Sequence, residues 1–210
     1  LTSIRMKHFY HFLMITIIVT YNSFSTYGIT IENDTLRNES IPYSYFEFNS
    51  NGFTDYVVLN YDSISNIGLF WKSIDWVILT YKYPNEVIIS QLEGEYLIIE
   101  GIANSLLETK VMGVTYYDNM RYRIHISFKN NKLKFDVTSL ESYNKGSQYI
   151  SPGWYDMKID EIEKYYYNKK GKIQTIFKSY ETNIPKYFND LVKSLNDYII
   201  KGNINSDNNW

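Results

Sequence analysis

Apolar and polar residues alternate with period two over residues 120–142, the clearest pattern in the chain. Tyr122, Ile124, Ile126 and Phe128 share one face of a strand over 120–129. Leu133, Phe135 and Val137 share one face of a second strand over 132–142. Asn130-Asn131 is the two-residue turn between them. Counting outward from that turn sets Lys129 opposite Lys132, Phe128 opposite Leu133, Ile126 opposite Phe135 and Ile124 opposite Val137. The other face pairs Ser127 with Lys134, His125 with Asp136 and Arg123 with Thr138. A slip of one residue would mix the two faces, so the register is strongly specified.

Spacings of three and four predict a helix over 64–81, with Ile64, Ile67, Trp71, Ile74, Ile78 and Tyr81 on one face and Leu69, Phe70, Trp76 and Val77 widening it. Both Trp belong to the core in this reading, Ser63 stands at the N-cap, and Pro84 closes the segment. A second helix runs from Pro185 to about 201, with Phe188, Leu191, Val192, Leu195, Tyr198 and Ile199 on one face and Gly202 as its stop. Phe53 to Tyr61 reads as a strand. Val87 to Leu92 and Tyr96 to Ala103 form a hairpin around Gly94, with Gly101 as a bulge. Asn104 to Thr109 is a connector or a strand end. Between 143 and 180 the pattern weakens. Ser151-Pro152-Gly153 is a turn, Ile159 to Tyr167 a short helix or edge segment, and Ile173 to Tyr180 a strand.

The fold class is therefore α+β: an antiparallel sheet of about five strands, order β-α-β-β-β-β-α, with both helices on the face made by Ile124, Ile126, Phe128, Leu133, Phe135 and Val137. The domain spans 51–201, with 143–180 as an irregular insertion. Residues 29–50 are an extended leader and 202–210 a polar tail. Residues 6–28 carry a short basic start, a run of about a dozen apolar residues and then Ser23, Ser25, Thr26 and Gly28. That is the layout of a secretory signal peptide over 1–28, too short for a membrane span. The sequence thus predicts export to the periplasm or beyond, with no transmembrane span after processing.

Composition narrows the function classes. Cysteine is absent, which removes disulfides, thiolate metal sites, Cys nucleophiles and a lipidated N-terminal Cys. The formal net charge is −2, and loss of Arg5 and Lys7 with a signal peptide would make the chain more acidic. That balance excludes a typical nucleic-acid binder. The 22 Tyr stand among many Ile, Asn and Lys, all with A/T-rich codons, which accounts for much of the aromatic content. Asn33 and Asn38 head N-glycosylation patterns, and Asp34-Thr35 and Asp62-Ser63 resemble a bacterial O-glycosylation motif.

The helix Leu69-Phe70-Trp71-Lys72-Ser73-Ile74-Asp75-Trp76, the hairpin from Tyr122 to Phe135 with Lys-polar-turn-Lys at its end, and the closing Asp207-Asn208-Asn209-Trp210 resemble a family of secreted bacterial proteins known as DUF4468, a domain of unknown function. The resemblance covers about residues 50–201. It implies a fold like one half of the TATA-box-binding protein, and it carries over no catalytic residue. It does not imply DNA binding, since fold does not fix function.

Motif chemistry is sparse. No nucleophile elbow, phosphate loop, dinucleotide fingerprint or paired-His zinc helix occurs. His125 beside Asp136 is the one base–orienter pair, with Ser127 two residues along the same strand; an ordinary cross-strand ion pair is the simpler reading. Glu93 with Glu95, and Asp160, Glu161 and Glu163, are the carboxylate groups that glycoside cleavage would require. The first pair flanks a turn and the second group reads as a solvated face. Asn203, Asn205 and Asp207 alternate like calcium ligands but lack the loop's Gly and closing Glu. The sequence therefore nominates no catalytic, cofactor-binding or metal-binding residue. It points to a non-catalytic binding domain of the cell envelope with a protein or glycan partner. The alternative is a carboxylate-dependent hydrolase acting on envelope or glycan material.

Overall fold

The computed structural model describes residues 45–202. The segment 1–28 expected to be a signal peptide, residues 29–44 of the expected leader with Asn33, Asp34 and Asn38, and Asn203, Asn205 and Asp207 lie outside those residues. Asn131, at φ 63°, closes the two-residue turn between β6 (Val114–Lys129) and β7 (Lys132–Asn144). The pairs Lys129–Lys132, Phe128–Leu133, Ile126–Phe135, His125–Asp136 and Ile124–Val137 all form as the alternation requires. Beyond them a β-bulge intervenes, and Arg123 pairs with Ser139 instead of the expected Thr138. The extra residue keeps both Val137 and Leu140 inside, at 4% and 1% exposure.

The turn also docks the first helix, α1 (Asn66–Thr80). Asn131 Oδ1 accepts from the Ile64 amide at 3.0 Å, and Asn130 Oδ1 from the Asn66 amide at 3.1 Å. Ser65 is the N-cap, its hydroxyl accepting from the Gly68 amide. Ser63 was the expected cap, but it takes a positive φ in the preceding turn. The buried side of α1 is Leu69, Phe70, Ser73, Ile74, Trp76 and Val77, whereas Ile67, Trp71 and Ile78 are about half exposed. Two apolar stripes both obey the helical spacing. The one that contains the small Ser73, whose hydroxyl donates to the Leu69 carbonyl, packs inward. Only Trp76 is a core residue; Trp71 donates from its indole to Glu93 at 2.9 Å near the surface.

The sheet has six strands, not five. Its order is β3 (Tyr56–Asn60), β7, β6, β5 (Tyr96–Val111) and β4 (Ile88–Leu92), with β8 (Gly153–Asp156) pairing the far end of β7. All pairings are antiparallel. A separate two-stranded piece, β1 (Phe48–Asn49) with β2 (Gly52–Phe53), precedes it. Gly94 turns the β4–β5 hairpin at φ 71°. Gly101 is no bulge. It pairs regularly with Tyr122, and a Cβ there would fall 2.4 Å from the Tyr122 hydroxyl. The irregularity of β5 lies instead between Ala103 and Leu107, after which the strand runs on to Val111. The expected connector at 104–109 is therefore strand. With the near half of β6 it forms a long two-stranded arm that alternation around Met120 did not reveal.

The final helix, α4 (Tyr180–Lys201), begins five residues before Pro185. Tyr180 and Ile184 extend its apolar stripe backwards, and their burial outweighs the amide bond that an interior proline forfeits. Gly202 stops it at φ 68°. The expected strand over 173–180 is replaced by an isolated bridge between Tyr167 and Ile173 and a 3₁₀ turn over Thr175–Phe177. Residues 159–166 form a 3₁₀ turn and the short α3 (Ile162–Tyr166). The 143–180 segment, expected as an irregular insertion, packs into the domain. Met157, Ile162, Tyr166 and Tyr167 are all buried in the common core. Phe46 and Phe48, expected in the leader, belong to that core too. The Asn189 side-chain amide holds the backbone of Phe46 from both sides, accepting from its N–H at 2.9 Å and donating to its carbonyl at 3.1 Å.

Both long helices lie on one face of the sheet. Phe70 of α1 meets Phe128 edge-on at 5.7 Å, and Phe188 of α4 meets Tyr122 at 5.6 Å. The helices are tied to each other by Trp76 Nε1 donating to Ser194 Oγ and by Lys72 Nζ donating to the Ile199 carbonyl. Among the described residues no helix is long and apolar enough to cross a membrane.

Candidate functional site

Because side chains alternate along a strand, burying Tyr122, Ile124, Ile126 and Phe128 turns Arg121, Arg123, His125 and Ser127 to the opposite face. No described helix covers that face. Along its middle, a row of side chains crosses five strands. Tyr56 on β3 lies under Lys134 Nζ at 5.0 Å, and Lys134 pairs with Asp136 at 2.9 Å on β7. Asp136 stands opposite His125 on β6. His125 meets the Tyr96 ring of β5 edge-on at 5.5 Å, and the Tyr96 hydroxyl lies 3.3 Å from Ser90 Oγ on β4. Beside this row, Arg123 pairs with Glu100 at 2.8 Å. Farther along, Arg121 pairs with Glu141 and stacks over Trp154 at 4.9 Å, and Trp154 in turn meets Tyr143 at 5.2 Å.

Three ion pairs on this face match six of its charges, and Lys129 and Lys132 at the turn end are left over. Two surplus lysines at one end fall short of the basic stripe that phosphate backbones require. Its polar groups are oriented by their partners, and Tyr56, Tyr96 and Trp154 add apolar ring area between them.

The structure brings His125 and Asp136 opposite each other as the register predicts, but their ion pair does not form. Lys134, two residues along on the same face, takes Asp136 instead. His125 Nε2 is buried with no hydrogen-bond partner. Ser127 shares the face and makes no bond to His125, so the geometry of a nucleophile–base pair is not assembled.

Asp160, Glu161 and Glu163 do converge on one depression of about 760 Å³, which Asn51, Lys164 and Asn168 also line. All three carboxylates are exposed, and Glu161 is tied to Lys164 at 2.7 Å. Glu93 and Glu95 flank the Gly94 turn, with Glu93 held by Trp71. Among the described residues no group of His, Asp and Glu has the clustering a metal ion needs.

One further polar cluster lies under the helices. The hydroxyls of Tyr187, Tyr122 and Tyr81 form a chain with O–O distances of 2.9 and 3.0 Å, and Tyr187 donates to Tyr122. Burial pushes all three hydroxyls well above the ordinary tyrosine range. Tyr166 is pushed up to about 12 by burial, with the charge of Asp156 adding to it. The chain of Tyr81, Tyr122 and Tyr187 links the sheet to both long helices.

Sequence reasoning did not single out Arg121, Glu141, Tyr143, Trp154, Glu100, Tyr56 or Tyr96. The parity of His125 already placed Arg121 on the open face. Tyr56 and Trp154 join it only through strand order, because β3 and β8 lie in tandem along β7, the first distant from it in sequence and the second in a segment without alternation.

No protein-family model matches the sequence, and no curated protein matches it. Solved structures that resemble the fold include a DUF4468 family protein from Bacteroides ovatus. It is 11% identical over 74% of this chain and 90% of that chain, with a TM-score of 0.56. A TBP-like protein from Parabacteroides distasonis is 10% identical over 69% of this chain and 90% of that chain, with a TM-score of 0.47. The fold expected from the hairpin and helix motifs is thus the fold of a DUF4468 family protein, and at 11% identity the likeness is one of fold.

Proposed function

We infer that the chain is an exported, non-catalytic binding module of the cell envelope whose open sheet face holds an uncharged glycan. One observation carries this reading: an open face across five strands whose central charges are matched in pairs and whose aromatic rings stand among oriented hydrogen-bonding groups. Matched charges disfavour both polyanions and strongly cationic partners. Ring faces and fixed donors and acceptors suit the apolar C–H faces and hydroxyls of a sugar chain. The apolar run before Ser23 supports export. N-terminal sequencing of the protein from its native host should begin near Thr26 or Ile29, and an intact chain recovered from the cytosol would contradict export.

Binding is tested by co-sedimentation with insoluble cell-wall glycan. The wild type should pellet. Tyr56→Ala combined with Trp154→Ala should weaken retention at least tenfold while the circular dichroism spectrum is kept. Equal retention of the two would contradict the reading.

A carboxylate hydrolase remains a second reading because Asp160, Glu161 and Glu163 share one depression. Their exposure argues against it, since a catalytic acid at neutral pH needs a site that raises its pKa. Release of soluble sugar by the wild type and not by Glu163→Gln would establish it.

A further inference from the structure

The arm of β5 and β6 ends in a turn that is unusual in two respects. Met112 and Gly113 both have positive φ, 50° and 80°. A two-residue turn of this kind ordinarily carries Asn, Asp or Gly at its first position. Met112 is instead held in a left-handed conformation that disfavours side chains, and it is 100% exposed. The strain closes the turn but secures no burial for Met112, and an apolar side chain held fully exposed at such a position is a pointer to function.

Exposed apolar and aromatic residues gather near Met112. Val111 and Val114, exposed at 44% and 52%, form the first rung behind the turn. Tyr116 and Tyr117, each 52% exposed, lie two and three residues behind Val114, about 7–10 Å along a strand. Between the valine rung and these rings stands Lys110, opposite Thr115 and ion-paired with Glu108 at 3.1 Å; Glu108 lies opposite Tyr117, and Asp118 beyond it. Successive residues face opposite ways, so Tyr116 and Tyr117 put one ring on each face of the ribbon. A protein groove would cover one face and leave the other ring in water. A medium that surrounds the ribbon covers both.

We propose that the tip of this arm dips into the interfacial layer of a lipid bilayer, with Met112, Val111 and Val114 below the headgroups and Tyr116 and Tyr117 at their level. The tip-to-tyrosine distance matches the depth of about 5–10 Å reached by interfacial segments, and tyrosine rings favour that boundary. Between the strands the ladder pairs half of the ribbon's backbone groups; the outer edges stay open, which confines the tip to the hydrated interfacial layer. With the arm's one cation neutralised, contact should depend on apolar area and not on anionic lipid.

The absence of cysteine allows a single label to report from the tip of the full chain. Met112→Cys carrying the fluorophore nitrobenzoxadiazole should brighten severalfold and shift to the blue on addition of phosphatidylethanolamine–phosphatidylglycerol vesicles. The change should persist in high salt. The same label at Lys132→Cys, on the β6–β7 turn at the other end of the sheet, should change little; this separates insertion of the tip from recruitment by another part of the chain. Adding Val111→Asp and Val114→Asp to the Met112-labelled chain should abolish the signal. Silence at position 112 with vesicles, or equal signals at 112 and 132, would overturn the proposal. So would a response at 112 to membrane-free envelope protein and not to vesicles, which would assign the tip to a protein pocket.

Discussion

Tyr122 shows how one side chain fixes a neighbourhood. It is 1% exposed, its hydroxyl bonds to two other tyrosines, and its ring lies where a side chain at position 101 would stand. A methyl at 101 must displace a buried, hydrogen-bonded ring. Gly101→Ala should therefore cost about 1–3 kcal/mol despite the entropic gain of losing a glycine, measured by urea unfolding; an unchanged midpoint would show that the ring can move freely. Ile126, at 0% exposure, should cost about 2–5 kcal/mol when cut to Ala. Its burial was legible from alternation alone. The role of Gly101 was not, because a lone glycine in an apolar strand reads equally as a bulge or as room for a neighbour, and only the cross-strand partner decides.

At the scale of elements, reading succeeded where one face was apolar and the other polar. The β6–β7 register followed from that contrast as far as Ile124. It failed at Arg123, where a bulge carries no local signature. Helix α1 was found but turned to the wrong side, since a helix apolar nearly all round does not announce its buried stripe. The start of α4 was misplaced because proline marks a first turn more often than a second. The tyrosine chain that joins α1, β6 and α4 makes a prediction about pH. Tyr81, Tyr122 and Tyr187 hold their protons more tightly folded than unfolded. Above about pH 10 the unfolded chain ionises first and binds fewer protons, so stability falls as pH rises. Below that pH the contribution is complete. The slope is at most about 1.4 kcal/mol per pH unit for each tyrosine. Tyrosinate absorbance near 295 nm should thus include a late, cooperative rise that coincides with loss of circular dichroism. Ionisation of all tyrosines before any unfolding would contradict the cluster.

On the scale of the whole molecule, two helices cover one side of an antiparallel sheet and leave the other side bare among the described residues. Alternation gave both faces, but not how far the open one extends. The strands that widen it, β3 and β8, meet β7 across more than 70 and about 10 residues of sequence respectively, and segments 143–156 carried little periodic signal. The acidic depression beside α3 is the competing surface. A photo-crosslinker placed at Tyr56 on the open face, and in a second variant at Glu163 in the depression, distinguishes the two in the presence of intact native envelope. Adducts at Tyr56 and none at Glu163 are the predicted result; adducts at Glu163 with none at Tyr56 would contradict recognition by the sheet face.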